Sequence, residues 1–286
     1  MTMKAGLQMY TVRNGFKKDP MGTLEIVAKA GYRYIELANH FARQDAGTGF
    51  GVPADKLKKK IDSLHIKVIG AHVMPLEEST IDGVIKYHQD IGSKNISIPI
   101  DYWPTKAHLL DRCKFYNKIG EILKKNGMKL LFHNHWHEFQ KFGNDFMFDL
   151  IMANTEPDLL GIELDAYWTI RGALDPAEKI RQYKSRMCLL HEKDFPLSLV
   201  HELNAAAQVD PSKPVDDASF HATVKPEHFT EVGDGMIKVQ DVIDAGNEAK
   251  VPYIFVEQDF IHNKTEFESI SRSLANFKKM RGMEWD

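Results

Sequence analysis

The sequence predicts a closed (β/α)8 barrel, and three features of the 286-residue chain support this prediction. Short apolar runs alternate with amphipathic helical patterns, which is typical of β/α units on a parallel sheet. Eight such units fit the length, since one β/α barrel commonly has about 250 residues. Ionisable residues gather where the apolar runs end. We therefore expect a single TIM-barrel domain over residues 1–286.

The predicted strands are short and apolar through most of their length, as expected for strands that are covered on both faces. In chain order they are Ala5–Tyr10, Tyr34–Leu37, Lys67–His72, Asn95–Ile100, Lys129–His135, Leu160–Asp165, Met187–His191 and Tyr253–Glu257.

The predicted helices lie between the strands and have apolar residues at three- and four-residue spacing. Proline near several starts and glycine just after several ends are typical of helix boundaries. These helices are Met21–Ala30, Asp55–Leu64, Ile81–Ile91, Ala107–Lys125, Phe146–Ala153, Pro176–Lys184, Val239–Ala249 and Glu266–Met280.

One segment, Phe195–Glu231, interrupts the alternation between the seventh strand and its helix. Loops of this length inside compact domains are usually lids or binding elements. Because the segment follows a strand, we expect it on the carboxyl-terminal face, where barrel enzymes have their active sites. A disordered excursion or an oligomer contact is the alternative.

The composition is that of an ordinary globular protein with a net charge of −3. This balance disfavours nucleic-acid and anionic-membrane partners, which select a basic face. The first residues contain no apolar run of signal-peptide length, so we expect a cytoplasmic protein. Cys113 and Cys188 form no metal-binding spacing and are expected to be free thiols.

Ionisable side chains collect at the predicted strand ends, which converge on one mouth in a closed barrel. Carboxylates with imidazoles suit Mn²⁺, Zn²⁺, Co²⁺ or Mg²⁺. Each residue alone has a structural alternative, as a hydrogen-bonded histidine or a helix-capping carboxylate. Several at successive strand ends favour a metal, because unpaired inward charge is costly. They are Glu36, His72, the run His133–Glu138, Glu163, Asp165, the run His191–Asp194, and Glu257 to Asp259.

An ordered set of motifs resembles the sugar phosphate isomerase/epimerase family, which belongs to the xylose-isomerase-like barrel group. The resemblance spans essentially the whole chain. The motifs are GLQMYTVR (Gly6–Arg13), GYRYIELA (Gly31–Ala38), FHNHWHEF (Phe132–Phe139), ELDAYW (Glu163–Trp168), LLHEKDF (Leu189–Phe195), VGDG (Val232–Gly235) and VEQD (Val256–Asp259).

The resemblance implies one divalent ion bound by Glu138, Asp165, His191 and Glu257. It also implies that Glu138 and Glu257 exchange protons on opposite faces of the substrate. Lys193 would stabilise the developing enolate oxygen, with Asp194 orienting it. Either His133 or His135 is an alternative ligand, in which case Glu138 serves only as a base.

The resemblance also implies substrate contacts from His72, His135 and Lys193, and Glu36 and Trp168 are further candidates near the strand ends. For the VGDG motif a tight turn is favoured over an anion site, because Asp234 has the wrong charge and no arginine cluster accompanies it.

The predicted function is a metal-dependent sugar isomerase or epimerase that moves a proton beside a metal-polarised carbonyl. The alternative keeps the site and changes the outcome to a dehydratase, lyase or hydrolase of a keto-inositol or 3-keto-glycoside.

Two other classes are less favoured. An abasic-site endonuclease would carry histidine where this chain has Trp168, together with an Asp-x-His tripeptide that the sequence lacks. A sugar-binding protein would need no carboxylates opposed across a metal. The expected partner is a small sugar or polyol, with a homodimer as a possible assembly.

Overall fold

The fold is a closed barrel of eight parallel strands, seen in a computed structural model that describes residues 2–285. Each strand pairs with the next, and the last pairs with the first, which confirms the (β/α)8 prediction. Numbering only the barrel strands, they are β1 (Met3–Gln8), β2 (Tyr34–Asn39), β3 (Lys67–Val73), β4 (Asn95–Ile98), β5 (Lys129–His133), β6 (Leu160–Asp165), β7 (Met187–Glu192) and β8 (Tyr253–Val256).

All eight predicted helices are present on the outside of the barrel, within three residues of the expected bounds. They are Pro20–Ala30, Ala54–Ser63, Ile81–Ile91, Lys106–Lys125, Met147–Ala153, Pro176–Gln182, Val239–Glu248 and Glu266–Phe277. Two short helices that the sequence did not predict follow β1 and β6, at Arg13–Lys18 and Ala166–Arg171.

The first strand ends two residues earlier than the apolar pattern indicated. The side-chain oxygen of Gln8 accepts a hydrogen bond from the Tyr10 backbone N–H at 3.1 Å. This cap begins a 3-10 helix, Met9–Val12, so Tyr10 lies in a helical turn above the barrel and not in the strand.

Glycines inside the barrel make room for larger side chains from neighbouring strands. A Cβ on Gly6 would lie 2.4 Å from the ring of Phe255, and one on Gly70 would lie 2.9 Å from the Glu36 carboxylate. Phe255 forms a small buried cluster with Leu131 and Leu189. The glycine of β3 therefore leaves the space that the Glu36 carboxylate occupies.

The segment after β7, residues 195–231, is folded against the barrel through the buried Arg171. The Arg171 Nη2 donates to the Thr223 carbonyl at 2.9 Å, and its Nε donates to the Leu203 carbonyl at 3.2 Å. Its own carbonyl accepts the Ala205 N–H at 3.0 Å. The segment contains four short helices: Leu197–Glu202, Ala206–Gln208, Asp217–Ala222 and Pro226–His228.

The remaining strands are short. Lys141–Phe142 and Asp145–Phe146 form an antiparallel pair, and Met283–Glu284 adds to β1. Cys113 is buried, and both cysteines are free thiols, as predicted. Among residues 2–285, no helix combines the length and the apolar character needed to cross a membrane.

Candidate metal centre and active site

Two glutamates lie deep in the barrel directly after irregularities in their strands. The pairing of β2 with β3 shifts register between Ile35 and Glu36, and the pairing of β6 with β7 shifts between Ile162 and Glu163. Irregularities of this kind change the direction in which a side chain points. Both carboxylates are fully buried.

Imidazoles and carboxylates alternate across the barrel mouth. The Nε2 atom of His191 lies 2.6 Å from Glu36 Oε2, and its Nδ1 atom lies 3.0 Å from Glu257 Oε2. His72 Nε2 lies 2.8 Å from Glu163 Oε2. The rings of His72 and His191 stack with centroids 5.1 Å apart. Four strands, β2, β3, β6 and β7, and the residue directly after β8 thus contribute to one buried polar network.

Lys193 joins this network directly above His191. Its Nζ atom lies 2.5 Å from both Asp165 Oδ2 and Glu257 Oε2. Burial alone would lower the pKa of Lys193, but the two carboxylates outweigh it and raise the pKa above its usual value. Burial alone would raise the pKa of Glu257, because it disfavours the charged carboxylate, but Lys193 and His191 hold this pKa well below its usual value. Lys193 and Glu257 therefore form an ion pair.

The donor atoms fit a divalent cation. Each of two groups offers four ligand atoms within 4.8 Å of one another: His72, His133, Glu163 and His191, or His133, Asp165, His191 and Glu257. Glu36 Oε1, Glu163 Oε1 and His133 Nδ1 are buried without a hydrogen-bond partner. Such atoms call for an ion or water. Burial holds the pKa of His133 well below its usual value, so its imidazole is neutral and can donate a lone pair.

Of the four ligands implied by the resemblance, the structure brings together Asp165, His191 and Glu257 but not Glu138. Strand β5 ends at His133, and the chain turns into a 3-10 helix, His137–Phe139. There Glu138 Oε2 accepts the His135 N–H at 2.9 Å. Burial raises the pKa of Glu138 to about 8. His133, the alternative ligand, stands in both groups.

A cavity of about 230 Å³ opens above this network. The candidates His72, His135, Lys193 and Glu257 line it. The candidates Glu36 and Trp168 are not among its lining residues: Glu36 lies beneath His191, and Trp168 is buried behind His135 and Lys193. The other lining residues are Tyr10, His40, Met74, Pro99, Ile100, His133, Asp217, Phe220, His221 and Asp259.

No role was predicted for Asp259 from the sequence, and the long segment was expected on the active-site face without any prediction of the residues that it contributes. Asp259 lines the cavity 3.9 Å from Lys193 Nζ, and burial raises its pKa to about 7. Its position in the VEQD motif, two residues after Glu257, was the available signal. Asp217, Phe220 and His221 lie on a short helix inside the long segment. The prolines of this segment marked it as a loop but could not show how it folds.

Asp194 does not orient Lys193, which corrects that prediction. Its carboxylate accepts the backbone N–H groups of Phe195, Gly233, Gly235 and Ile237 at 2.8–3.0 Å. The amides of the VGDG motif thus do face an anion, and that anion is Asp194. A Cβ on Gly235 would lie 2.1 Å from Asp194 Oδ1, so the approach requires glycine.

Comparisons with known proteins agree with this architecture. The family model described as xylose isomerase-like TIM barrel matches residues 24–279. An inosose dehydratase of Clostridium perfringens is 28% identical over 160 residues, which cover 55% of this chain and 48% of that protein. The chain thus matches about half the length of that curated relative.

Two solved structures share the fold. A sugar phosphate isomerase/epimerase of Parabacteroides distasonis has a TM-score of 0.79 and 22% identity, covering 99% of this chain and 96% of that one. The IolI protein, solved with a bound zinc atom, has a TM-score of 0.68 and 15% identity, covering 97% of each chain.

Proposed function

Because the chain belongs to the xylose isomerase-like TIM barrel family, we propose that it removes a proton beside the carbonyl of a cyclic polyol ketone and then eliminates the neighbouring oxygen. A keto-inositol dehydratase is the form of this activity that we favour. The single observation that carries the proposal is the buried Lys193–Glu257 ion pair at the wall of the cavity above the barrel mouth.

Elimination is favoured over isomerisation by the curated relatives, several of which are named inosose dehydratase. This moves the dehydratase alternative ahead of the isomerase or epimerase predicted from sequence. Both begin with the same proton abstraction, and they differ in what happens to the carbanion.

We infer that a divalent ion is held by His133, Asp165, His191 and Glu257. When bound there, the ion would supply the positive charge that polarises a ring carbonyl. The choice of this group over the one with His72 and Glu163 rests on Asp165 and Glu257, the two carboxylates that contact Lys193 at the wall of the cavity.

Different side chains around the cavity carry out the two proton transfers. The Glu257 carboxylate, held ionised by Lys193 and His191, takes the proton from the carbon beside the carbonyl. The Lys193 ammonium stabilises the negative charge that develops on the carbonyl oxygen. The C–O bond at the next carbon then breaks, and the departing oxygen takes a proton from Asp259 and leaves as water.

The test is a solvent-exchange experiment with 2-keto-myo-inositol in D₂O, with Mn²⁺ and after chelation. We expect metal-dependent deuterium incorporation beside the carbonyl, followed by loss of water, both measured by NMR and mass spectrometry. Glu257→Gln should lower the exchange rate about 10²–10⁴-fold, the usual contribution of a general base. Glu248→Gln, an exposed glutamate paired with Arg181, is the matched control.

The outcomes separate the candidate reactions. Exchange with inversion and no loss of water would favour the isomerase or epimerase. No exchange by metal-replete protein would refute the proposal. A Glu138→Gln protein with full turnover would exclude the Glu138–Glu257 pair, whereas a loss matching that of Glu257→Gln would support it.

A further inference from the structure

The buried Glu36 contacts a histidine of the inferred metal group. Its Oε2 atom lies 2.6 Å from His191 Nε2, the length of a strong hydrogen bond to a charged acceptor. Its carboxylate is fully buried and belongs to neither donor group that could hold the ion. Glu36 was a candidate substrate contact, and the structure places it instead behind a candidate metal ligand.

The two ring nitrogens of His191 face different carboxylates. Nε2 faces Glu36, whereas Nδ1 lies 3.0 Å from Oε2 of Glu257, another member of the inferred metal group. A carboxylate that accepts the Nε2–H leaves the lone pair on Nδ1, where a cation can bind it. The contact with Glu36 therefore selects the nitrogen that can serve as a ligand.

The plane of the His191 ring is fixed by neighbouring rings. His72 stacks on it with centroids 5.1 Å apart and an interplanar angle of 8°, and His133 meets it edge-on at 4.7 Å. These contacts still allow a half-turn of the ring, which would put carbon atoms where the nitrogens now lie. The polar contacts of the nitrogens oppose that half-turn, and the shortest of them is the bond to Glu36.

The Glu36 carboxylate is itself held in place on two sides. Gln8 Nε2 donates to the same oxygen, Glu36 Oε2, at 2.8 Å, while Gln8 Oε1 caps the 3-10 helix after β1. On the other side, a Cβ on Gly70 would lie 2.9 Å from Glu36 Oε1. The cap at the end of β1 is thus linked through Glu36 to His191.

We propose that Glu36 is a positioning residue for His191: it accepts the Nε2–H, holds Nδ1 towards the cation and makes that nitrogen more basic. A carboxylate behind a metal-binding imidazole typically has this effect, and its loss weakens metal binding about 10–100-fold. This inference rests on the metal site of the proposed function. It gives Glu36, with Gln8 behind it, a role outside the substrate cavity.

Metal affinity tests this role without turnover. Wild-type protein and Glu36→Gln are titrated with Co²⁺ at neutral pH in competition with a chelator, and the visible absorption of the bound ion is recorded. Glutamine keeps the shape of the side chain and removes its charge. We expect the Kd for Co²⁺ to increase about 10–100-fold and the absorption bands to change, because one ligand is less basic and less well oriented.

Glu231→Gln is the matched control. Glu231 is also buried, at 2% exposed, but its carboxylate pairs with Lys264 at 2.8 Å and lies outside both donor groups. This variant should leave the Co²⁺ affinity and spectrum unchanged. Thermal unfolding of each variant checks that a change in affinity comes from folded protein.

The nitrogen that binds the ion is a second readout, and it needs no variant. Anomalous scattering from wild-type crystals soaked with Zn²⁺ locates the ion. We expect it about 2.0–2.1 Å from His191 Nδ1, with Glu36 still bonded to Nε2. An ion bound to Nε2, in the group that contains His72 and Glu163, would overturn the proposal even if Glu36→Gln failed to fold.

The remaining outcomes keep this inference distinct from the proposed function. A Co²⁺ affinity in Glu36→Gln that matches the wild type, or a loss no larger than in Glu231→Gln, would refute the positioning role alone. The expected dependence on Glu36, in a protein that fails to exchange deuterium into 2-keto-myo-inositol, would uphold the role and refute only the reaction. Wild-type protein that binds neither Co²⁺ nor Zn²⁺ would refute the metal site and this role together.

Discussion

Replacing Asp194 by asparagine tests whether this carboxylate holds the loop between the long segment and the helix Val239–Glu248. Asp194 is fully buried and accepts four backbone N–H groups, two on each oxygen. Asparagine keeps one oxygen and replaces the other with an NH₂ group. In either orientation of the amide, two buried N–H groups lose their acceptor and face another donor.

The magnitude follows from those two bonds. A hydrogen bond to a charged group contributes about 1.5–3 kcal/mol, so two give about 3–6 kcal/mol. Relaxation of the loop favours the lower end. For a domain of this size, about 3 kcal/mol corresponds to a fall in Tm of roughly 6–12 °C.

The assay is urea and thermal unfolding at neutral pH, followed by circular dichroism, with Asp90→Asn as the control. Asp90 forms an exposed pair with Lys86 on one helix, and such pairs contribute about 0.3–0.5 kcal/mol. A loss below about 1 kcal/mol in Asp194→Asn, or one no larger than in the control, would refute the anchoring role.

Three further predictions concern buried groups. Burial lowers the pKa of His88 to about 4, so the folded state resists protonation that the unfolded state accepts below about 6.5. The free energy of unfolding therefore decreases as pH falls from about 6.5 towards 4. His88→Leu lacks the imidazole, so its free energy of unfolding relative to that of the wild type should increase by about 2 kcal/mol between pH 7 and pH 5, measured by urea unfolding. Lys193→Met should destabilise the chelator-treated protein by about 3–5 kcal/mol, since it removes the ammonium that both buried carboxylates, Asp165 and Glu257, share. Added Mn²⁺ should restore much of that loss in thermal melts. Gly70→Ala should cost about 1–3 kcal/mol by pressing on Glu36, and a neutral result would show that the carboxylate can move.

The barrel could be predicted from sequence because each strand and helix leaves a local mark. Buried parallel strands are apolar runs, and the outer helices show three- and four-residue periodicity. The predicted strand bounds are wrong where a side-chain hydrogen bond, and not the apolar pattern, ends the strand. The Gln8 cap that ends β1 is one example, because an apolar run of MYTV continues past it.

The site was predictable in part for a similar reason. Asp165, His191 and Glu257 stand at or directly after strand ends, so their convergence follows from barrel closure. Glu138 does not, because it follows β5 by five residues, and a 3-10 turn breaks the two-residue alternation that a strand would have imposed. Sequence pattern could not determine which of the neighbouring residues faces inward once the strand had ended.

Asp165 shows why structural and chemical roles need not exclude each other at such a site. Its Oδ1 accepts the Trp168 N–H at 2.8 Å and caps the helix Ala166–Arg171, while its Oδ2 faces Lys193. Asn134 fixes the same turn by accepting the Asp165 N–H at 3.0 Å. The cap restrains the carboxylate, so its second oxygen is already oriented when a cation arrives. A helix-capping aspartate at a strand end is therefore compatible with the ligand role that we propose for Asp165.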